Sequence, residues 1–215
     1  MEQTDLRARN PGGVSAGRPR QMSQTERREQ LIAAAEEVFL RRGYHATTMD
    51  DIAQRAGMSK KTVYQIFSAK SELFDALLAE WLAPVTFPVE PDGRSARDVL
   101  TDILRRLVDF ALAERQVCMI RLLIAEAANS EDIAAALQRQ GVGSGRGALE
   151  QWLTAESLRG TFKVDDPRAA TNLLFFTAAG DFQMGLLLRT RPPPSAEEVA
   201  ARVERAVAIF FREAS

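Results

Sequence analysis

The chain has 215 residues, of which 46% are hydrophobic and 27% charged, an ordinary composition for a folded protein with a sizeable core. One cysteine, Cys118, excludes an internal disulfide, and with one histidine, His45, it leaves too few ligands for a structural Cys/His zinc site. The sequence has no apolar run of about 18 residues and no apolar N-terminal stretch typical of a signal peptide. We therefore expect a soluble, cytoplasmic protein without metal or cofactor.

The balance of 28 basic and 29 acidic residues conceals two parts of opposite charge. Residues 1–70 hold twelve Lys and Arg against eight Asp and Glu, whereas residues 71–215 hold sixteen basic and twenty-one acidic residues. Within 52–71 there are four basic residues and no acidic one. Such asymmetry indicates an anionic partner for the basic part of the chain.

Helix start and stop patterns recur along the chain after a Gly-, Pro- and Arg-rich stretch, residues 1–22, which is predicted to be a disordered basic arm. Ser23 with Glu26 forms a capping box that opens the first helix, which ends at Gly43. Further starts are predicted at Thr48, Ser59, Ser68 or Ala69, Ser95, Asp166 and Ser195. A helical pattern over 131–158 is interrupted by glycines. Because no alternating β pattern occurs, the sequence predicts an all-α fold.

Residues 48–67 have the pattern of a helix-turn-helix, two short helices joined by a glycine turn. Ala53 is small enough for close helix crossing, and Gly57 can adopt the left-handed backbone of the turn. The second helix presents short or cationic hydrogen-bond donors suited to phosphates and base edges: Lys60, Lys61, Thr62, Tyr64 and Gln65. A solvated helical hairpin has the same pattern, but the absence of acidic residues over 52–71 favours DNA binding.

The same segment resembles the TetR (tetracycline repressor) family of bacterial regulators over residues 24–82. The matching residues are Thr47 to Ala53, Ala56 to Ser59, Thr62 to Tyr64, Phe67, Lys70, Leu73 and Phe74. The resemblance implies a three-helix DNA-binding domain over 23–83, with its motif at about 48–67. It also implies a larger helical ligand-binding and dimerisation domain over 95–215, and a homodimer that binds a palindromic double-stranded DNA operator.

The resemblance also implies DNA contacts from six residues: Thr48, Lys60, Lys61, Thr62, Tyr64 and Lys70. Gln65 is a further candidate for a DNA contact. In this assignment Thr48 caps the first motif helix and touches a phosphate. Lys70, at the start of the fourth helix, also touches a phosphate. Residues 60–62 enter the major groove, and Tyr64 packs against the DNA backbone.

Two positions depart from the family pattern. Gln65 stands where an aromatic residue is common, and it can bond a base edge or simply face solvent. The next residue, often histidine in the family, is Ile66 and cannot make the usual backbone contact.

The N-terminal arm contains a Gly-Arg-Pro core with Arg18 and Arg20. Such a core is suited to the narrow minor groove, where arginines respond to the negative potential. The alternative is a disordered tail without a specific role.

The rest of the chain resembles the C-terminal domain of AefR-like regulators, most clearly at 121–127 and 160–167. Residues 166–213 carry two helices with broad apolar faces, and the resemblance implies that they form a four-helix interface between two copies of the chain. Ala178, Ala179 and Gly180 are small enough for close helix contact.

An effector pocket is expected among the helices of 95–160. The candidate residues are Cys118, Met119, Arg121, Leu122, Leu123, Glu126, Asn129, Trp152 and Phe176. Each of these is also compatible with plain packing or a surface position. The apolar character of this part favours an apolar or aromatic ligand.

The sequence therefore predicts a ligand-responsive transcriptional regulator, in most such proteins a repressor released from its operator by a small inducer, and not an enzyme. No nucleophile–base pair, metal cluster or phosphate-binding loop supports catalysis. The alternative is a helical ligand-binding or assembly protein without operator binding. Lys60, Lys61 and Lys70, three of the four lysines, argue against that alternative.

Overall fold

The computed structural model describes residues 22–82, 93–128, 130–140 and 146–213. Within these ranges the protein consists of ten α-helices and has no β-strand, which confirms the predicted all-α fold. The helices are α1 Gln24–Arg42, α2 Met49–Ala56, α3 Lys60–Ile66, α4 Lys70–Trp81, α5 Ala96–Leu112, α6 Glu114–Ala127, α7 Glu131–Gln140, α8 Gly147–Leu158, α9 Pro167–Leu187 and α10 Ala196–Glu213. Among the described residues, none of the helices has the length and apolar character needed to cross a membrane. The predicted arm lies outside the described residues, apart from Met22.

Side-chain caps start the helices where the sequence predicts them. Ser23 with Glu26 and Thr48 with Asp51 each form a capping box with both reciprocal hydrogen bonds. The predicted caps Ser59, Ser95, Asp166 and Ser195 each accept the backbone N–H three residues further on. These bonds satisfy N–H groups that the first turn of a helix leaves without partners.

The turn between α2 and α3 depends on Gly57, whose backbone is left-handed with φ 65° and ψ 28°. Its N–H donates to the carbonyl groups of Ala53 and Gln54, which ends α2. A side chain at this φ would be strained, so glycine sets the angle at which α3 leaves α2.

The protein has two buried apolar clusters. The first joins α1–α4 and includes Phe39 and Phe74, whose rings meet edge to face with centroids 5.4 Å apart. Met119 of α6 and Ile133 of α7 are fully buried in the same cluster. The N-terminal unit predicted over 23–83 therefore does not complete its own core, because α6 and α7 close it.

The second cluster joins α5, α8, α9 and α10. Ala178 and Ala179 of α9 are fully buried in it, consistent with the close helix contact expected from small residues. Phe162, between α8 and α9, has its ring centroid 5.8 Å from that of Trp152 and 5.3 Å from that of Phe210. These aromatic contacts fix α8 against α10.

One side of α9 remains outside both clusters. Its large apolar residues on that side are each more than half exposed: Leu173, Phe176, Met184 and Leu188. At 100° per residue these positions fall within about a third of the helix circumference. Ile209 of α10 is also exposed. The chain therefore presents an apolar stripe of a kind that is uncommon on an isolated surface helix.

Candidate nucleic-acid interface and effector cavity

Helix α3 places its predicted DNA-contacting residues on the outside of the first cluster. Lys60, Lys61, Tyr64 and Gln65 are exposed, and Thr62 is half-buried. Val63 is fully buried on the opposite side and anchors the helix. The helix therefore presents two cationic side chains and two further hydrogen-bonding side chains to solvent.

Lys60 forms an ion pair with Asp50 of α2, and both side chains are more than half exposed. Exposed ion pairs contribute little to stability because water screens both charges. The ammonium group can therefore exchange this carboxylate for a phosphate at small cost.

Thr48 uses its hydroxyl to cap α2. Its Oγ1 accepts from the Asp51 backbone N–H at 3.2 Å and donates to Asp51 Oδ2 at 2.7 Å. The hydrogen bonds that Asp51 Oδ2 accepts from the Thr48 hydroxyl and the Thr48 backbone N–H lower the pKa of the Asp51 carboxyl. The capping part of the predicted role of Thr48 is confirmed, while its phosphate contact stays a prediction.

Lys70 has a structural role that the sequence did not indicate. Its Nζ donates to the carbonyl oxygens of Tyr44 at 2.7 Å and Thr47 at 2.9 Å, and it lies 4.3 Å from the centroid of the Tyr44 ring. Burial lowers the pKa of Lys70, opposed by the carboxylates of Asp132 and Glu126. Two of its three N–H donors are thus used inside the protein, and only the third is left for the predicted phosphate contact.

Residues 43–47, here called the α1–α2 loop, are also held from α6 and α7. Glu126 Oε1 accepts from the Tyr44 backbone N–H at 3.1 Å, and Asp132 Oδ2 accepts from the Tyr44 hydroxyl at 3.0 Å. His45 Nε2 lies 3.6 Å from Glu126 Oε2. Burial and the bond to Asp132 raise the pKa of Tyr44 above its usual range. The helix-turn-helix therefore begins from a loop whose position is set by helices far along the chain.

Two Arg–carboxylate ion pairs strengthen the same junction. Arg115 of α6 forms a bidentate pair, donating through Nε and Nη2 to the two carboxylate oxygens of Glu36 at 2.6 and 2.8 Å. Nη2 of Arg139 of α7 lies 2.7 Å from both carboxylate oxygens of Asp75. Bidentate Arg–carboxylate pairs fix orientation as well as distance. Helices α6 and α7 are thus aligned against α1 and α4.

A cavity of about 420 Å³ lies between α4, α5, α6 and α9. Its wall is mainly apolar and includes Trp81, Leu107, Phe110, Ile120, Phe175 and Phe176. Three polar side chains also line it, Gln116, Gln183 and Arg146. A cavity of this size with few polar groups is typical of a small-molecule site.

Most residues predicted to bind the effector lie elsewhere. Leu123 and Phe176 line the cavity, whereas Met119 and Leu122 belong to the first cluster and Trp152 to the second. The physical reason that these residues lie outside the cavity is helical phase. On α6 the cavity stripe and the stripe that packs on α1–α4 are adjacent, and periodicity alone does not show which one faces a cavity.

The remaining candidates have other positions. Arg121 donates to the carbonyl oxygens of Leu186 and, at 3.1 Å, Leu187. Glu126 binds the α1–α2 loop as described above. Cys118 is half-buried and does not line the cavity. Asn129, Arg18 and Arg20 lie outside the described residues.

Sequence reasoning missed the three polar residues of the cavity. Gln116 precedes Ile120 and Leu123 on one stripe of α6, a pattern that the sequence does contain. Gln183 and Arg146 reach the cavity through the packing of α8 and α9. No local pattern indicates that contact.

Comparison with known proteins gives the family. Residues 31–77 match the bacterial regulatory proteins of the tetR family, and residues 98–213 match the C-terminal domain of AefR-like transcriptional repressors. The second match covers more than half of the chain. The chain therefore belongs to the TetR family of transcriptional regulators.

One curated relative matches about a third of this chain. The chain is 56% identical over 70 residues to the HTH-type transcriptional activator FasR of Mycolicibacterium smegmatis, a segment that covers 33% of this chain and 31% of that protein. The match thus spans about a third of that curated relative.

Solved structures match over most of their length. A TetR-family regulator from Mesorhizobium loti has a TM-score of 0.72 at 22% identity, covering 90% of this chain and 98% of that one, and shows the common fold. The flavonoid-responsive regulator FrrA has a TM-score of 0.73 at 25% identity, covering 88% of this chain and 97% of that one.

The position of Lys70 generates a stability prediction. Replacement by Met removes the ammonium group and leaves the Tyr44 and Thr47 carbonyls without this donor, so we expect the free energy of unfolding to fall by about 1–3 kcal/mol. Urea denaturation measures it. The matched control is Lys61→Met, an exposed position where the change should stay within about 0.5 kcal/mol. Equal effects of the two substitutions would show that the Lys70 bonds do not stabilise the loop.

Proposed function

We propose that this chain is a ligand-responsive transcriptional regulator, not an enzyme, that binds an operator in double-stranded DNA through α3 and responds to a small molecule in the cavity. The observation that carries the proposal is the exposed cationic face of α3 within a helix-turn-helix. The loop that precedes this motif is bound by α6, the helix that also lines the cavity. One helix thus connects the two sites.

In the proposed complex α3 lies in the major groove of the operator. Lys60, Lys61 and Thr62 approach the bases and phosphates, and Gln65 is exposed at a position from which it can bond a base edge. Tyr64 packs along the DNA backbone. Phosphate contacts by Thr48 and by the third N–H of Lys70 fix the orientation of the reading helix without specifying sequence.

The proposed regulatory direction is repression that an effector relieves. The C-terminal match, to AefR-like transcriptional repressors, covers residues 98–213 and supports this direction. The N-terminal match to FasR, which is named an activator, covers 70 residues and concerns the DNA-binding part. The proposal follows the longer of the two matches, which covers residues 98–213.

The proposed effector has an apolar or aromatic body. Trp81, Phe110, Phe175 and Phe176 supply aromatic surface to the cavity wall. The name of the similar regulator FrrA, flavonoid-responsive, supports an aromatic effector. Aromatic rings gain from offset and edge-to-face contacts with such a wall.

The proposed active unit is a homodimer through residues 166–213. The exposed apolar stripe of α9 would be buried against the same stripe of a second copy, with α10 beside it. A two-fold symmetric protein would place its two α3 helices one DNA turn apart, which requires a palindromic operator.

DNA binding is tested with Lys60→Ala and Lys61→Ala in gel shifts on the duplex upstream of the chain's own gene. Each substitution should weaken binding and lower the slope of log Kd against log salt by about 1 per protomer, because one phosphate contact is lost. Lys163→Ala, which removes an exposed lysine from the other half of the chain, is the matched control and should leave both quantities unchanged. Unaltered affinity of the α3 variants would contradict the assignment of α3. A wild-type chain that fails to shift any duplex would favour an assembly protein.

The dimer is tested with Met184→Glu on the exposed stripe of α9. A carboxylate there would have to be buried without a partner in a symmetric interface, so we expect the dimer to dissociate to monomer at micromolar concentration. Leu158→Glu, on α8 at a residue that is 85% exposed, is the control and should leave the dimer intact. Analytical ultracentrifugation distinguishes the two. A wild-type monomer, or dissociation by both variants alike, would contradict this interface.

A further inference from the structure

The cavity contains one charged side chain among the described residues that line it, Arg146. It directly precedes α8, and its guanidinium carbon lies 4.5 Å from the centroid of the Phe175 ring and 4.9 Å from that of Phe176. The guanidinium therefore lies over two aromatic rings of the cavity wall, a geometry that orients it through cation–π attraction.

Arg146 has no carboxylate partner among the described residues. Its Nη1 donates to the amide oxygen Oδ1 of Asn172 at 2.5 Å, and Asn172 is neutral. Burial lowers the pKa of Arg146, with no acidic group to oppose it. Since a guanidinium has five N–H donors, most remain available. Other arginines of this protein at helix junctions, such as Arg115 and Arg139, have carboxylate partners instead.

One further polar group of the cavity wall lacks a partner in the part of the chain that the structure describes. The indole N–H of Trp81 is buried without an acceptor. Buried polar groups are nearly always hydrogen-bonded, and an unpaired one costs free energy. We expect a ligand with oxygen acceptors to bind the remaining N–H groups of Arg146.

The dimensions of the wall limit the shape of such a ligand. Phe176 and Gln183 both line the cavity from α9, and seven residues of helix span about 10 Å. Arg146 lies at the Phe176 end of this distance. Arg146 at one end of the cavity and Gln183 at the other are thus separated by an apolar stretch of wall.

From this arrangement we propose that the effector is an elongated apolar molecule with a single carboxylate, which Arg146 binds at one end of the cavity. The inference rests on the proposed function and names the chemical class of its effector. A cationic ligand would face an uncompensated guanidinium, and a dianion would bury a second charge without a partner. A purely apolar ligand would leave most of the N–H donors of Arg146 without acceptors.

The test uses two ligand pairs that differ only at the head: dodecanoate with 1-dodecanol, and 2-naphthoate with 2-naphthalenemethanol. The chain has two tryptophans, so Trp152→Phe leaves Trp81 in the cavity wall as the fluorescent reporter. Titration into this protein should give Kd values about 10- to 100-fold lower for the carboxylate than for the alcohol of at least one pair, as expected for charge-assisted hydrogen bonds.

Substitutions at position 146 test whether Arg146 causes the preference for the carboxylate over the alcohol. In Arg146→Gln the preference should fall below about threefold, whereas Arg146→Lys, which keeps the charge, should retain a preference of about tenfold. The matched control is Arg159→Gln at the other end of α8, where the arginine is 72% exposed and pairs with Glu156. It should bind like the parent protein. Retained alcohol binding in Arg146→Gln shows that the cavity is still folded.

Equal Kd values within both pairs, or a carboxylate preference that survives Arg146→Gln, would overturn the proposal. A gel shift with the same proteins separates it from the proposed function. If neither carboxylate binds a protein that still shifts operator DNA, the carboxylate proposal alone is overturned. A protein that binds the carboxylate through Arg146 and binds no DNA supports this inference and overturns the regulator.

Discussion

The hydrogen bond from the Tyr44 backbone N–H to Glu126 fixes the loop from which the DNA-reading helices begin. The loop starts at Gly43, whose φ of 82° and ψ of 164° define a conformation that only glycine adopts readily. A Cβ at this position would collide with Glu126 Oε1. The loop conformation at Gly43 and the close approach of the Glu126 carboxylate therefore depend on one another.

Helix α6 is the physical connection between this loop and the cavity. Ile120 and Leu123 line the cavity, while Met119 is buried in the first cluster and Glu126 holds the loop. A helix moves as a rigid unit, so a ligand that displaces α6 also displaces the carboxylate that binds Tyr44. In the proposed regulator, an effector that changes the affinity for the operator by some factor would have its own affinity changed by the same factor when the operator is bound.

The sequence predicts what local chemistry determines. Caps such as Ser23 and Thr48, the left-handed turn at Gly57 and the exposed face of α3 follow from neighbouring residues and helical period. Contacts between segments far apart in the chain do not follow from such local patterns. Lys70 matches a family position, yet its acceptors lie 23 and 26 residues away, and Arg146 reaches its cavity through the packing of α8 against α9. The closure of the first cluster by α6 and α7 is equally non-local.

The central claim, that α6 holds the loop in front of the DNA-reading helices, is tested most directly by amide hydrogen exchange at Tyr44. We expect Glu126→Ala to speed exchange of the Tyr44 amide at least about tenfold, the effect of losing one hydrogen bond to a charged group. The Phe67 amide, bonded within the first cluster to the Val63 carbonyl at 2.9 Å, should exchange at the same rate in both proteins. An unchanged rate at Tyr44, or equal acceleration at Phe67, would contradict the account.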